Sequence, residues 1–371
     1  MKNIVNLGNV ATYINGYAFK PSDWAEDGTP IIRIQDLTGN SYQMNRFKGI
    51  VDSKYDVNSG DVLISWSASL GVYVWNRGNA VLNQHIFKVV FDKEEVDKDF
   101  FVFQIDNLLK RAANQAHGAT MRHLTKPVFD ALPFYLPDIK TQRLISSKLN
   151  LIVHLIEDHH EQLKKLDELI RSRFIEMFGH SDRPKVRLGE CCIINPKKSS
   201  DIRLVDNDLM VSFVSMSDVS EDGQIVTCNH KQYESVKSGF TYFSENDVLF
   251  AKITPCMENG KGGIAKGLLN GIGFGSTEFH VLRPIDQVSN SCWLYELTSF
   301  PQFRQAAEIN MTGSAGQRRV PASFLANYKV SLPPISLQNQ FADFVHQLDK
   351  SKYGGPIFLR LLEDIRICCN I

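Results

Sequence analysis

The pattern of apolar and polar positions along the chain says the same thing twice. Short β-prone runs separated by turn residues open each half: Ile31 to Ile34, Val62 to Ser65, Val72 to Trp75 and Ile86 to Phe91 in the first, Met210 to Val214 and Asp247 to Ile253 in the second. A stretch of helical character follows in both, about Lys98 to Ala116 and Cys292 to Ile309. The latter is expected to break at Pro301, whose ring cannot sit in a helix interior. Landmarks recur in one order. Val5-Asn6-Leu7-Gly8, Gly60-Asp61-Val62-Leu63-Ile64 and Phe134-Tyr135-Leu136-Pro137, then Gln142, return as Val186-Arg187-Leu188-Gly189, Asn246-Asp247-Val248-Leu249-Phe250 and Val330-Ser331-Leu332-Pro333, then Gln338. Between landmarks the residues differ. A kept frame with rewritten contents predicts one α+β scaffold used twice, to recognise two different things.

After Pro137 the period changes. Ile139 to Phe178 holds no Gly or Pro, and steps of four and three through Ile145, Leu149, Ile152, Ile156, His159, Leu163, Leu166, Ile170, Arg173 and Met177 find apolar residues at eight of ten positions. Forty helical residues make a rod of roughly 60 Å, with Gly179 as its terminator. A stripe that long needs a partner helix. Phe341, Val345 and Leu348 match Ile145, Leu149 and Ile152 at a constant offset of 196 and supply one. The match ends at Lys352-Tyr353-Gly354-Gly355-Pro356, so the second rod is expected to be shorter or kinked, with Ile357, Leu361, Ile365 and Cys368 available as one apolar face of the tail. The expected divisions are a first domain at 1–138, the long helix at 139–180, a second domain at 181–335 and a C-terminal helix at 336–371.

Composition narrows the class. At 371 residues the chain suits two domains of ordinary size plus connections. No apolar run approaches the roughly 20 residues of a membrane span, and Met1-Lys2-Asn3 leads into a polar stretch, so a cytoplasmic location is expected. All seven cysteines lie in the second half with no Cys-x-x-Cys spacing, which reads as reduced thiols rather than disulfides or zinc ligands. With 41 basic and 41 acidic residues the net charge is zero, so any nucleic-acid contact must come from local clusters or a basic partner.

Catalytic signatures are missing. Asn195-Pro196-Lys197 lacks the second proline and the aromatic of an amino-methyltransferase motif, and Gly260-Lys261-Gly262-Gly263 lacks the spacing of a phosphate loop. There is no Gly-x-Ser-x-Gly elbow and no His-Glu-x-x-His, and His159-His160 read as surface histidines of a helix. Recognition needs only a scaffold and variable loops, and two similar heads with divergent loops suit a reader of two half-sites.

The landmarks carry a family resemblance. Gln162 to Phe174, followed by Met177-Phe178-Gly179, resembles the central region of specificity subunits of type I restriction-modification systems. So does the segment Gly313 to Gln338, in which Gly-x-x-Gly-Gln-Arg-Arg-Val precedes Leu332-Pro333-Pro334. The resemblance covers essentially the whole chain and lies in its frame, not its variable stretches. It implies two target-recognition domains related by an internal pseudo-two-fold repeat, each reading half of a split sequence in double-stranded DNA. It also implies long antiparallel, coiled-coil-like helices between them as a ruler, with two modification subunits docked on the helices. Adenine methylation with S-adenosylmethionine, and restriction with ATP and magnesium, would then belong to the partner modification and restriction subunits; this chain would bind no cofactor or metal and would not itself be an enzyme. The tail after Lys352 departs from the family pattern and puts the full ruler in doubt.

Base readout asks for donors and acceptors on loops at a sheet edge. The candidates are Arg33, Gln35, Ser65, Ser67, Arg122 and His123 in the first domain, and Lys252, Thr254, Gln317, Arg318 and Arg319 in the second. Arg122 aligns with Arg318 and His123 with Arg319, and a basic pair repeated in both copies suits phosphate contact. Trp66 and Trp75 read as packing residues, and Asp61 and Asp247 as turn acids of the frame. The rival reading is a two-headed protein-interaction scaffold without DNA binding; a fused enzyme would need a catalytic segment.

Overall fold

The computed structural model describes residues 3–40, 43–115, 125–179, 185–204, 208–225, 229–314 and 316–350. They fall into two compact units that part inside the long helix, one running through His160 and the other starting at Glu161. Arg122, His123 and the tail from residue 351 lie outside the described residues.

The sequence repeat is a structural repeat. In the first unit Ile4–Asn6 pairs antiparallel with Pro133–Tyr135, placing Val5 opposite Phe134; in the second, Lys185–Arg187 pairs with Lys329–Ser331, placing Val186 opposite Val330. Each unit then builds an antiparallel four-stranded sheet in one order. It runs Thr12–Asn15, Ile86–Val90, Val62–Ser65, Gly71–Val74 in the first unit, and Cys192–Ile194, Phe279–Pro284, Val248–Ala251, Gly262–Ile264 in the second. A further sheet in each is centred on a parallel pair, Thr29–Ile32 with Ala80–Leu82 and Met210–Val214 with Ile272–Gly275.

The frame residues explain why the strands recur. Asp61 and Asp247 each close the turn before their strand, accepting a backbone N–H from Asn58 at 2.9 Å and from Ser244 at 2.7 Å. The residue before each aspartate has positive φ, 98° at Gly60 and 66° at Asn246, a conformation that glycine and asparagine tolerate. Each aspartate also holds a cation from a neighbouring strand, Lys88 at 3.1 Å and Arg283 at 2.7 Å. These are the structural roles expected of turn acids.

One expectation is corrected and one is met. The run Ile31 to Ile34 is not one strand: Thr29–Ile32 ends there and a short helix, Ile34–Leu37, begins. Buried Asp36 turns the chain by accepting the backbone N–H of Arg33 at 2.8 Å. The helical stretch of the second unit splits into Ser291–Ser299 and Pro301–Ile309, as Pro301 demands, whereas Lys98–Gln115 is continuous.

The long helix, Ile139–Phe178, has the length that the absence of Gly and Pro predicts. All ten seam positions are buried or half-buried. Ile145 packs on the core of the first unit, in the cluster that holds Phe100, Phe101 and Phe134. The C-terminal helix, residues 335–350, meets the far end of the rod within the second unit, where Phe341, Val345 and Leu348 join Ile170, Met177 and two residues outside the seam, Phe174 and Phe178. The Phe341 ring lies 5.4 Å from Phe174 and 5.5 Å from Phe178. The guanidinium of Arg173, earlier on the rod, lies over Phe344, later on the C-terminal helix, so the two run in opposite directions here. The contact moves one residue past the seam because a straight helix drifts by roughly 20° per heptad from a 3.5-residue repeat, and four heptads separate Ile145 from Arg173.

Trp75 is buried with its indole N–H donated to Gly78, and Trp66 stacks on Phe87 at 5.7 Å, so both pack as expected. Cys191 and Cys192 are free buried thiols, pushed up by burial to about 11 and about 12. Among the described residues no helix is long and apolar enough to cross a membrane.

Candidate nucleic-acid interface

The five candidates of the second unit come from two stretches of chain that the fold brings together. Beyond its ladder, strand Val248–Ala251 continues into Lys252, Ile253 and Thr254, where it meets residues 318–320. The N–H of Thr254 donates to Arg318 at 3.0 Å, that of Val320 donates to Lys252 at 2.9 Å, and Ile253 bridges Arg319. Thr312 and Arg319 close the intervening hairpin with reciprocal bonds of 2.9 and 2.8 Å. Gly313 and Gly316, with φ of 118° and 80°, make its turn, a conformation that explains the glycines of this motif.

Their side chains divide by commitment. Arg319 grips Glu278 with two bonds of 2.9 and 2.8 Å, which holds the Glu278 carboxyl below its usual range. Arg318 is half-buried and donates to the carbonyl of Glu308 at 2.8 Å, capping helix Pro301–Ile309 where its dipole favours a cation. The Thr254 hydroxyl donates to Glu258 at 2.7 Å. Gln317 is exposed at the hairpin tip. Lys252 makes no side-chain hydrogen bond or ion pair among the described residues, and its charge reaches Glu278 and His280.

In the first unit Gln35 is exposed on the short helix Ile34–Leu37. Arg33 is largely withdrawn, its Nε 3.5 Å from Asp36 and its guanidinium over Trp24. Ser65 and Ser67 are buried, and the Ser65 hydroxyl donates to the carbonyl of Ser69. A buried hydroxyl with an internal partner offers no base a surface, so among the described residues the accessible candidate here is Gln35, with the exposed part of Arg33.

The sequence reading missed Lys198 and Lys237, which share a groove with Lys252, and Arg304. The Arg304 guanidinium donates to the carbonyls of Met257 at 2.9 Å and Gly260 at 3.1 Å, fastening the loop after Thr254, and burial pushes it down to about 10. Lys197-Lys198 is visible as a basic pair, but nothing in the sequence brings it beside Lys252.

One slot captures how the copies differ. Five residues after Asp61 stands Trp66, bonded through its indole N–H to Asn15 at 3.1 Å; five after Asp247 stands Lys252. The frame is held and the chemistry exchanged.

The comparisons with known proteins follow this repeat. The model of the type I restriction modification DNA specificity domain matches residues 2–168 and again 181–353. The chain is 41% identical over 155 residues to the type I restriction enzyme EcoEI specificity subunit of Escherichia coli, covering 40% of this chain and 25% of that protein. It is 42% identical over 149 residues to the EcoAI specificity subunit of the same organism, covering 40% and 24%. The chain thus spans about a quarter of the length of these two curated relatives. In fold it resembles the S subunit of the type I restriction-modification system from M. genitalium, at a TM-score of 0.54 and 12% identity over 100% of this chain and 95% of that one. It also resembles a chain from a study of complex assembly and conformational transition of the type I R-M system, at 0.57 and 16% over 99% and 96%.

Proposed function

The chain belongs to the family of type I restriction modification DNA specificity domains, and from that premise we propose that it is the DNA-recognition subunit of a type I restriction-modification complex. Each unit reads one half of a bipartite target in double-stranded DNA, and the long helix serves as the spacer. The observation that carries this reading is that one slot of a repeated frame holds the packed Trp66 in the first unit and the uncommitted Lys252 in the second, since two heads with a common scaffold and differently equipped edges suit two different half-sites. Gln35 and Gln317 present the amide that pairs with adenine, and Lys252 supplies charge for the backbone.

Chemistry belongs to partners in this reading. Two modification subunits carry S-adenosylmethionine and methylate adenine, restriction subunits use ATP and magnesium, and this chain contributes no catalysis and works in the cytoplasm beside its DNA. The outer face of the long helix suits such a partner: Leu144, Leu151 and Leu155 lie on one face and are 56%, 60% and 38% exposed.

The test is to purify the chain with its modification subunit and map adenine methylation on random-sequence DNA. A split motif with a fixed gap is the expected result. Absence of both a complex and salt-dependent duplex binding would replace this reading with a protein-interaction scaffold.

A further inference from the structure

Three lysines from separate parts of the second unit converge on one groove of about 410 Å3. Lys198 opens the short helical turn Lys198–Ser200, Lys237 follows helix Tyr233–Val236, and Lys252 extends strand Val248–Ala251. Ser238, Thr241 and Phe240 are among the other residues of its wall. Lys198 donates to the carbonyl of Lys237, and Lys237 pairs with Glu234 at 2.6 Å in the open, so neither ammonium is buried in a partner. A fourth cation stands on the rim: the Lys231 ammonium lies 3.6 Å from the centre of the Phe213 ring and 5.8 Å from that of Phe240.

Of the acids nearby, Glu234 offsets Lys237, and two more are engaged by other groups. Glu278 is held twice by Arg319, and Asp201 by Arg203 at 2.6 Å and by the hydroxyl of Tyr242 at 2.7 Å. With Lys237 offset by Glu234, Lys198 and Lys252 still leave the groove a positive surplus in a chain whose net charge is zero. Gathering like charges in a concave surface costs free energy unless an anion answers them, and a polyanion that releases its counterions answers them best. Phe240 is 39% exposed, its ring set edge-on to Phe213 at 4.9 Å, an apolar surface held among cations as a sugar or base would require.

We propose that this groove holds the sugar–phosphate backbone of the DNA read by the second unit, with Lys198, Lys237 and Lys252 on phosphates and Phe240 against the sugar or base beside them. The inference rests on the DNA-reading function and adds a division of labour. The groove fixes register without reading sequence, and Lys252, joined through its backbone to residues 318–320, seats the hairpin that carries Gln317 on the same DNA.

The experiment uses the complex with its modification subunit, a duplex bearing the mapped target, an unrelated duplex and a series of salt concentrations. Replacing the three lysines together by glutamine should weaken binding to both duplexes by a similar factor. It should flatten the slope of log K against log salt by about 0.9 for each lysine that meets a phosphate, and leave the methylated sequence unchanged. The matching triple arginine variant should keep the slope, and equal unfolding midpoints should show both variants folded. An unaltered slope in the glutamine variant, or a changed second half-site in place of a uniform loss, overturns the groove while the DNA reading stands. No salt-dependent binding by the unmodified complex overturns both.

Discussion

Gln142 and Gln338, 196 residues apart, make the same three hydrogen bonds. Each is buried in the first turn of its helix. The carbonyl of Gln142 accepts the backbone N–H of Asp97 at 2.9 Å, and its amide donates to Glu95 at 3.3 Å and Pro137 at 2.8 Å. Gln338 does the same with Asn290 at 3.1 Å, Val288 at 2.9 Å and Pro333 at 2.9 Å. Asp97 and Asn290 in turn accept the N–H groups of Phe100 and Trp293 at the starts of their helices. One side chain thus ties the helix that leaves each unit to the helix that packs on its sheet.

Replacing either glutamine by leucine orphans a buried N–H and two carbonyls. At about 1–3 kcal/mol for an unsatisfied buried group, each variant is expected to lose roughly 3 kcal/mol in chemical denaturation. Glutamate should be no better, because a second oxygen would face the two carbonyls. Wild-type stability in both leucine variants would reject the tie.

Asn246 and Gly60 test the repeated turn from the unfolded chain outward. Asn246→Gly should change stability by only a few tenths of a kcal/mol, whereas Asn246→Val should cost about 2 kcal/mol because a β-branched residue resists positive φ. Gly60→Ala should cost about 1 kcal/mol for the same reason. Space is not the obstacle there, since the nearest atom to a built Cβ is the Lys98 ammonium at 3.9 Å. Unfolding midpoints of the three variants check the order.

Arg304 spends a buried charge on fastening a loop. Arg304→Lys replaces a planar fork spanning the carbonyls of Met257 and Gly260 with a single ammonium, and is expected to cost about 2 kcal/mol. Hydrogen exchange should rise first in residues 255–261; uniform exchange across the unit would show that the arginine supports packing in general.

His280 makes the second unit pH-sensitive. It is buried, its Nε2 sits 2.8 Å from the carbonyl of Val320, and burial lowers its pKa from the ordinary 6.5, with Lys252 adding to the effect. Below 6.5 the unfolded chain binds a proton that the folded chain resists, so stability present above that value is lost as the pH falls toward the folded pKa. Other groups facing the ring are Glu278, which acts in the opposite sense, and the amide of Asn195. His280→Gln should flatten this part of the stability profile; an unchanged slope would assign it to other groups.

Much of the frame was legible because backbone chemistry wrote it. Asp61 and Asp247, the landmark glutamines, the uninterrupted run from Ile139 to Phe178 and the break at Pro301 each have a local cause that survives without coordinates. The contact surface was less so. Ser65 and Ser67 looked like loop donors beside Trp66, but alternation alone could not say that both lie under neighbouring elements. Arg33 reads as a free donor in the sequence because its partner, Asp36, becomes a buried cap only once the chain turns. Phe174 and Phe178 escaped because a 3.5-residue count ignores helical drift, and Lys198 and Lys237 because their convergence on Lys252 from separate segments leaves no mark in one dimension.

The placement of buried thiols in one half of the chain has a practical side. The first cysteine in the sequence is Cys191, and it and Cys192 are shielded from solvent and held as thiols by burial, so a thiol reagent reaches them only when the second unit opens. Of the four tryptophans, Trp24, Trp66 and Trp75 emit from the first unit and Trp293 from the core of the second. Pulsed alkylation mapped to Cys191 and Cys192 would time the opening of the second half, and in a Trp293→Phe background the remaining tryptophan emission would time the first.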